Sequence, residues 1–229
     1  TADGTITLSN ALTFANSSGT AATFTLDTSG SGTNASSILL NAGIAATGTS
    51  AVNLVLRSKG APISTAASTV VDVTGAITID NTVGLGAGTA TSSAGVSLGG
   101  TTLRAGGGDI TISGRSASAA GVTGNSAISA PNGNVIISGV GGAGINLTGA
   151  VTAGTLNGAT TGALTSTGPV TLTGYASATG SGVALDGTLT ISGTGNLIVS
   201  AKSAATTANT YGLAVSKAWS LANGAVTLQ

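Results

Sequence analysis

Asp109 lies five residues after Arg104 and six before Arg115, and no other stretch of the chain brings an acid so close to two bases. Polysaccharide-cleaving sites use such groupings: paired carboxylates, or a base beside bound calcium, with aromatic rings stacked on the sugars. The aromatics here are Phe14, Phe24, Tyr175, Tyr211 and Trp219, spread over the whole length. Gly95-Val96-Ser97-Leu98-Gly99 satisfies G-x-S-x-G, but a serine nucleophile needs a general base, usually histidine, and the chain has no histidine. Gly139-Val140-Gly141-Gly142-Ala143-Gly144 satisfies G-x-G-x-x-G. A dinucleotide site requires a helix next, whereas Ile145-Asn146-Leu147-Thr148-Gly149 reads as another strand.

Metal chemistry is equally thin. Cysteine and glutamate are absent, and the carboxylates are Asp3, Asp27, Asp72, Asp80, Asp109 and Asp186, well separated along the sequence. Gly106-Gly107-Gly108-Asp109 is similar to a calcium-binding glycine–aspartate repeat, but it occurs once, and that motif works by recurrence. Each aspartate is expected at a turn or strand end. No catalytic, cofactor-binding or metal-ligating residue is expected, and the chain reads as no enzyme.

The residues that do recur are structural. Glycine, one spacer, then alternating aliphatics and hydroxyls appear at Gly108–Gly114, Gly133–Gly139, Gly168–Gly174, Gly187–Gly193, Gly195–Ser200 and Gly224–Leu228. Strand starts at Ile110, Val135, Val170, Leu197 and Val226 return at a coarse interval, widest between Val135 and Val170. Between them falls a second set at Gly121–Thr123, Gly144–Leu147, Gly182–Leu185 and Gly212–Val215. A third is weaker, at Ala127–Ser129, Leu189–Ile191 and Trp219–Leu221. Three short strands per turn, alternating apolar and hydroxyl, describe a three-faced coil whose stacked turns create the core.

Asn132-Gly133, Asn157-Gly158, Asp186-Gly187 and Asn223-Gly224 supply corner residues that accept positive φ. Alone, such pairs signal hairpins, so an antiparallel sandwich or barrel is the competing architecture. Return of one strand type after a full three-strand interval favours the solenoid. The expectation is an all-β, right-handed parallel β-helix, one elongated domain over 1–229, with less regular rungs over 1–105 and regular ones over 106–229. At about 25 residues per rung it would have about nine rungs and span about 40 Å.

In the first half, Thr5–Leu8, Thr23–Leu26, Val52–Leu56, Ala76–Ile79 and Val96–Leu98 read as strands, and Gly30–Ser37 and Gly84–Ser93 as loops. Ala153–Ser166 reads as an insertion, either an extruded loop or a pair of extra short strands. Trp219 and Tyr211 are expected to fill the interior near one end.

Charged residues are 5% of the chain, six basic against six acidic. Stacking explains this scarcity. Equivalent positions on adjacent rungs lie about 4.8 Å apart, where like charges repel by about 0.9 kcal/mol in water and several-fold more near a protein surface. Ser, Thr and Asn stack without that cost. Arg57, Lys59, Arg104, Arg115, Lys202 and Lys217 are too dispersed along the sequence for a nucleic-acid partner. A helical membrane span needs about 20 consecutive apolar residues, and no such run occurs, so none is expected. With no methionine and no basic-then-apolar leader, the chain reads as a processed or excised segment.

The units Gly-Asp-Ile-Thr-Ile-Ser-Gly, Gly-Asn-Val-Ile-Ile-Ser-Gly and Gly-Thr-Leu-Thr-Ile-Ser-Gly resemble repeats of large bacterial exoproteins of the filamentous haemagglutinin type, exported by two-partner secretion, and of similar autotransporter passengers. The resemblance covers most of 70–229. It implies a parallel β-helix exported by a Gram-negative cell and acting in adhesion, biofilm matrix or a surface fibre. The departure is that no secretion domain is evident.

Three functional expectations follow. The first is a non-enzymatic extracellular structural or adhesive solenoid, partnered end to end by other copies or by flanking repeats, and in adhesion by cell-surface glycans or proteins. The second is a carbohydrate-active β-helix using Asp109, Arg104 and Arg115. The third is ice binding through Thr-x-Thr triplets at Thr5–Thr7, Thr23–Thr25, Thr171–Thr173 and Thr188–Thr190, which would have to share one face. Asn16, Asn34 and Asn146 lie in N-x-S/T sequons.

Overall fold

The computed structural model describes residues 4–30, 36–83, 90–147, 151–153, 155–156, 164–165, 169–177, 180–191, 195–204, 206, 210–222 and 224–229, with only the course of the strands given between 151 and 165. These residues contain strands and turns and no helix. Rung 1 comprises β1 (Ile6–Leu8), β2 (Leu12–Ala15) and β3 (Ala22–Asp27), and rung 2 comprises β4 (Ile38–Leu40), β5 (Ile44–Thr47) and β6 (Val52–Arg57). Rung 3 has β7 (Ile63–Thr65), β8 (Val70–Val73) and β9 (Ile77–Asp80), and rung 4 has β10 (Val96–Leu98), β11 (Thr102–Ala105) and β12 (Ile110–Arg115). Rung 5 has β13 (Ala120–Gly124), β14 (Ala127–Ala130) and β15 (Val135–Gly141). In rung 6, β16 (Ala143–Leu147) and β17 (Val151–Ala153) are followed by the excursion β18 (Thr155–Leu156) and β19 (Leu164–Thr165), then β20 (Val170–Ala176). Rung 7 holds β21 (Val183–Leu185), β22 (Leu189–Ile191) and β23 (Leu197–Ser203), and rung 8 holds β24 (Leu213–Val215), β25 (Trp219–Leu221) and β26 (Val226–Leu228).

The first, second and third strands of successive rungs pair into three eight-stranded sheets, here faces 1, 2 and 3. All three sheets are parallel; the pair β18–β19 is antiparallel. This is the expected parallel β-helix, and the antiparallel sandwich is excluded. Among the described residues the rungs number eight, against about nine expected, because the turns are unequal and some are long. Leu54 to Ile77 is one short turn, whereas the single turn from Ile145 to Val183 is far longer. Seven strand spacings give a stack about 34 Å long.

Alternation within strands builds the core. On face 3 one inward column runs Leu54, Ile77, Ile110, Val135, Val170, Leu197, and a second runs Leu56, Ile79, Ile112, Ile137, Leu172, Val199. Face 1 supplies Ile38, Ile63, Val96, Val122, Ile145 and Val183. Each of these side chains is essentially without solvent contact, and burying one contributes about 1.5–3 kcal/mol. Inward aromatics sit only at the two ends of the described stack. Phe14 and Phe24 stack 4.8 Å apart in rung 1, and Trp219 packs part-buried in rung 8. Tyr211 departs from expectation: it is 54% exposed, outside the core.

Several strands escape sequence reading, above all β2, β5, β8, β11 and β17 on face 2, and β4 and β7 on face 1. They are three or four residues long, too short for alternation to show. The Gly187 copy of the motif lies on face 2, not with its relatives on face 3. Of the two readings of Ala153–Ser166, the pair of short strands is found. Residues 31–35 and 84–89, more than half of each expected loop, lie outside the described residues.

The corner after face 3 explains the glycine that closes the motif. One buried column runs Thr28, Ser58, Asn81, Gly114, Gly139, Gly174. In rungs 1 and 2 its side chains bridge the corner, Thr28 Oγ1 donating to Ser36 O and Ser58 Oγ to Ala61 O, each at 2.6 Å, while in rung 3 Asn81 Nδ2 donates to Arg115 O of the next rung at 2.9 Å. From rung 4 to rung 6 the corner is pinched shut. A Cβ on Gly139 would sit 2.2 Å from Gly144 O, and one on Gly174 would sit 1.9 Å from Gly182 O. Gly133, expected to serve a positive-φ turn, is not among the positive-φ residues; it serves close approach instead, since its Cβ would lie 2.3 Å from Gly108 O.

Candidate functional site

The acid–base grouping does not assemble. Asp109 immediately precedes β12 and accepts the Asn134 N–H at 2.8 Å, fixing the start of the next rung's strand. Arg115 ends β12, about 20 Å further along the extended chain. Arg104 lies on face 2 and pairs with Asp72 at 3.0 Å. Ser97 is an ordinary strand residue of β10, in register with Ser64 and Thr123. The G-x-G-x-x-G segment spans the corner from β15 into β16, with no helix behind it. Among the described residues, no three carboxylates gather where they could hold a metal ion, and no helix is long and apolar enough to cross a membrane.

The threonine triplets fall on three different faces: Thr5–Thr7 on face 1, Thr23–Thr25 and Thr171–Thr173 on face 3 five rungs apart, and Thr188–Thr190 on face 2. The flat array required for ice binding is therefore missing from these positions. Asn16 is buried, and its amide donates to Thr20 O and Ala51 O, each at 2.9 Å. A glycan there is incompatible with the folded rung. Asn146 is exposed on β16, and Asn34 lies outside the described residues.

Charges that do stack alternate in sign, as the repulsion argument requires. On face 3, Arg57 is in register between Asp27 and Asp80, and on face 2 Asp72 is in register with Arg104. Asp27 is held below the usual carboxylate range, chiefly by Ser29, whose hydroxyl and N–H both donate to Oδ1, and also by Arg57. Its stabilising contribution is present above the unfolded carboxylate pKa and is lost as pH falls through the lower folded value. Arg57→Asp would stack three carboxylates at rung spacing. We expect a loss of about 2 kcal/mol in urea denaturation, shrinking markedly in 1 M salt because the Debye length there is about 3 Å. An unchanged midpoint at low salt would refute the alternation.

Sequence reading missed a second outward column, two positions further along face 3. Arg115, Val140, Tyr175 and Lys202 are in register on rungs 4 to 7. Lys59 stands near the same edge, bridged to Thr82 beyond the strand ends of rungs 2 and 3. Val140 and Tyr175 are 37% and 38% exposed, and Lys202 is exposed. Beside them runs a hydroxyl column, Ser113, Ser138, Thr173 and Ser200. With Arg57, this edge gathers four of the six basic residues. The signal was present in the chain: each member on rungs 4 to 7 immediately follows the small residue of the buried corner column, Gly114, Gly139, Gly174 or Ala201.

Comparison with protein-family models, curated proteins and solved structures gives no match.

Proposed function

We propose that the chain is a non-enzymatic rod of an extracellular bacterial surface structure, a segment of an adhesin stalk or of a fibre, as its resemblance to filamentous haemagglutinin repeats implies. One observation supports this above the others: parallel register continues through eight rungs with unbroken inward aliphatic columns. Such a stack extends along one axis, because each rung is covered only by its neighbours. Further rungs, from flanking repeats or from another copy, would add to the edges of rungs 1 and 8 by the same parallel pairing. The carbohydrate-cleaving alternative loses its support once Asp109, Arg104 and Arg115 stand on separate parts of the coil.

Negative-stain microscopy of the purified chain tests the reading. Rods are expected, either single and short or joined into fibres in multiples of one rod length. Compact round particles would overturn it. So would turnover on a polysaccharide panel that disappears in Asp109→Ala.

A further inference from the structure

We infer that the edge where face 3 turns toward face 1 binds an acidic polysaccharide, with the carboxylated chain lying along the solenoid axis over Arg115, Val140, Tyr175 and Lys202. The inference rests on the extracellular reading and adds its ligand.

Three independent features converge on this edge. The first is charge. Arg115 and Lys202 are three rungs apart in one column, about 14 Å, and Lys59 lies about two rungs before Arg115, about 10 Å. From rung 4 to rung 7 the two outward columns at this edge hold no carboxylate. The acids Asp27 and Asp80 belong to rungs 1 and 3, where Arg57 separates them.

The second feature is an exposed ring. Tyr175 is one of five aromatics in the chain and stands outward between Val140 and Lys202. A ring with an apolar face and a polar tip suits the apolar face of a sugar. The third is the hydroxyl column alongside. Its members repeat at the same rung spacing and offer donors and acceptors to sugar hydroxyls. The pinched glycine corner keeps the backbone under this strip close-packed, so the side chains stand on a firm base.

Charge spacing selects the polymer. Duplex DNA carries one charge per about 1.7 Å of axis, so cations about 10 to 14 Å apart would leave most phosphates unmatched. A polyuronate carries one carboxylate per sugar on a single chain, so it can set a carboxylate at each cation and a sugar ring at Tyr175 between them.

Calorimetric titration of the intact chain with polygalacturonate, neutral dextran of similar length and duplex DNA tests this. Polygalacturonate should bind at least roughly tenfold tighter than either competitor, and raising salt from 50 to 200 mM should weaken it by roughly tenfold. Lys202→Ala and Tyr175→Ala should each weaken binding by roughly tenfold with circular dichroism unchanged. Lys217→Ala, exposed on another edge, should stay within roughly twofold. Equal binding of dextran, tighter binding of DNA, or an equal loss in Lys217→Ala would overturn the inference. Rods in the microscope that ignore polygalacturonate would overturn the ligand and leave the rod, whereas compact particles would overturn the rod itself.

Discussion

Ile137→Asp will prevent stable stacking in the middle of the solenoid, while Ile136→Asp, one residue earlier, will leave it folded. Ile137 is fully buried and lies in register between Ile112 and Leu172. A carboxylate there would have aliphatic neighbours above and below and no partner, a burial that costs well over about 4 kcal/mol. Ile136 faces outward between Thr111 and Thr171. A charge at that position meets hydroxyls and water, with an expected change within about 1 kcal/mol. Urea denaturation followed by circular dichroism separates the two. Since Ile137→Asp is expected to yield no folded protein, Ile137→Val supplies the graded measurement, with a loss of about 0.5–1.5 kcal/mol. Equal behaviour of the two aspartate variants would mean that the inward and outward assignment of β15 is wrong, and with it the register of face 3.

That register was readable in advance for a physical reason. Strands β12, β15, β20 and β23 are six or seven residues long, long enough to alternate visibly, and glycine frames them because backbone approaches backbone at both ends. The same logic explains what stayed hidden. In rungs 2 and 3 the corner is filled by Ser58 and Asn81 instead of glycine, so the closing mark of the motif is absent there. On face 2, Ile44-Ala45-Ala46 and Leu103-Arg104-Ala105 place alanine at the second inward position, and a strand with one large inward residue leaves little trace of alternation. The Arg115–Lys202 column needed more than pattern. Its members are unevenly spaced along the chain, and only the pairing across corners of unequal length brings them into line. For the same reason, the nearness of Asp109 to Arg104 and Arg115 in sequence misled. In a coil of this kind, close neighbours in sequence can stand on different faces, whereas residues a full turn apart are neighbours in space.

Gly174→Ala will cost about 3 kcal/mol, at the upper end for overpacking, although it adds a single methyl group. The added Cβ would lie 1.9 Å from Gly182 O, 2.6 Å from Gly182 C and 2.7 Å from Val183 Cγ2. Two of these atoms are backbone, and each sits in a parallel ladder: Gly182 accepts the Ile145 N–H at 2.8 Å, and Gly174 is in register with Gly139 and Ala201. Neither strand can move aside without breaking pairings to the rungs above and below. Gly139→Ala should behave similarly, with its Cβ 2.2 Å from Gly144 O. Gly4→Ala, whose Cβ would meet nothing within 4 Å, should change the stability by less than about 0.5 kcal/mol. The wider corner of rung 2 gives the reverse experiment. Ser58→Gly removes the hydroxyl that donates to Ala61 O at 2.6 Å, leaves that carbonyl with the longer 3.4 Å contact from Asn81 Nδ2, and should cost about 1 kcal/mol. Gly174→Ala matching Gly4→Ala would show that the corner gives way, and the closing glycine of the repeat would then need an explanation other than backbone contact.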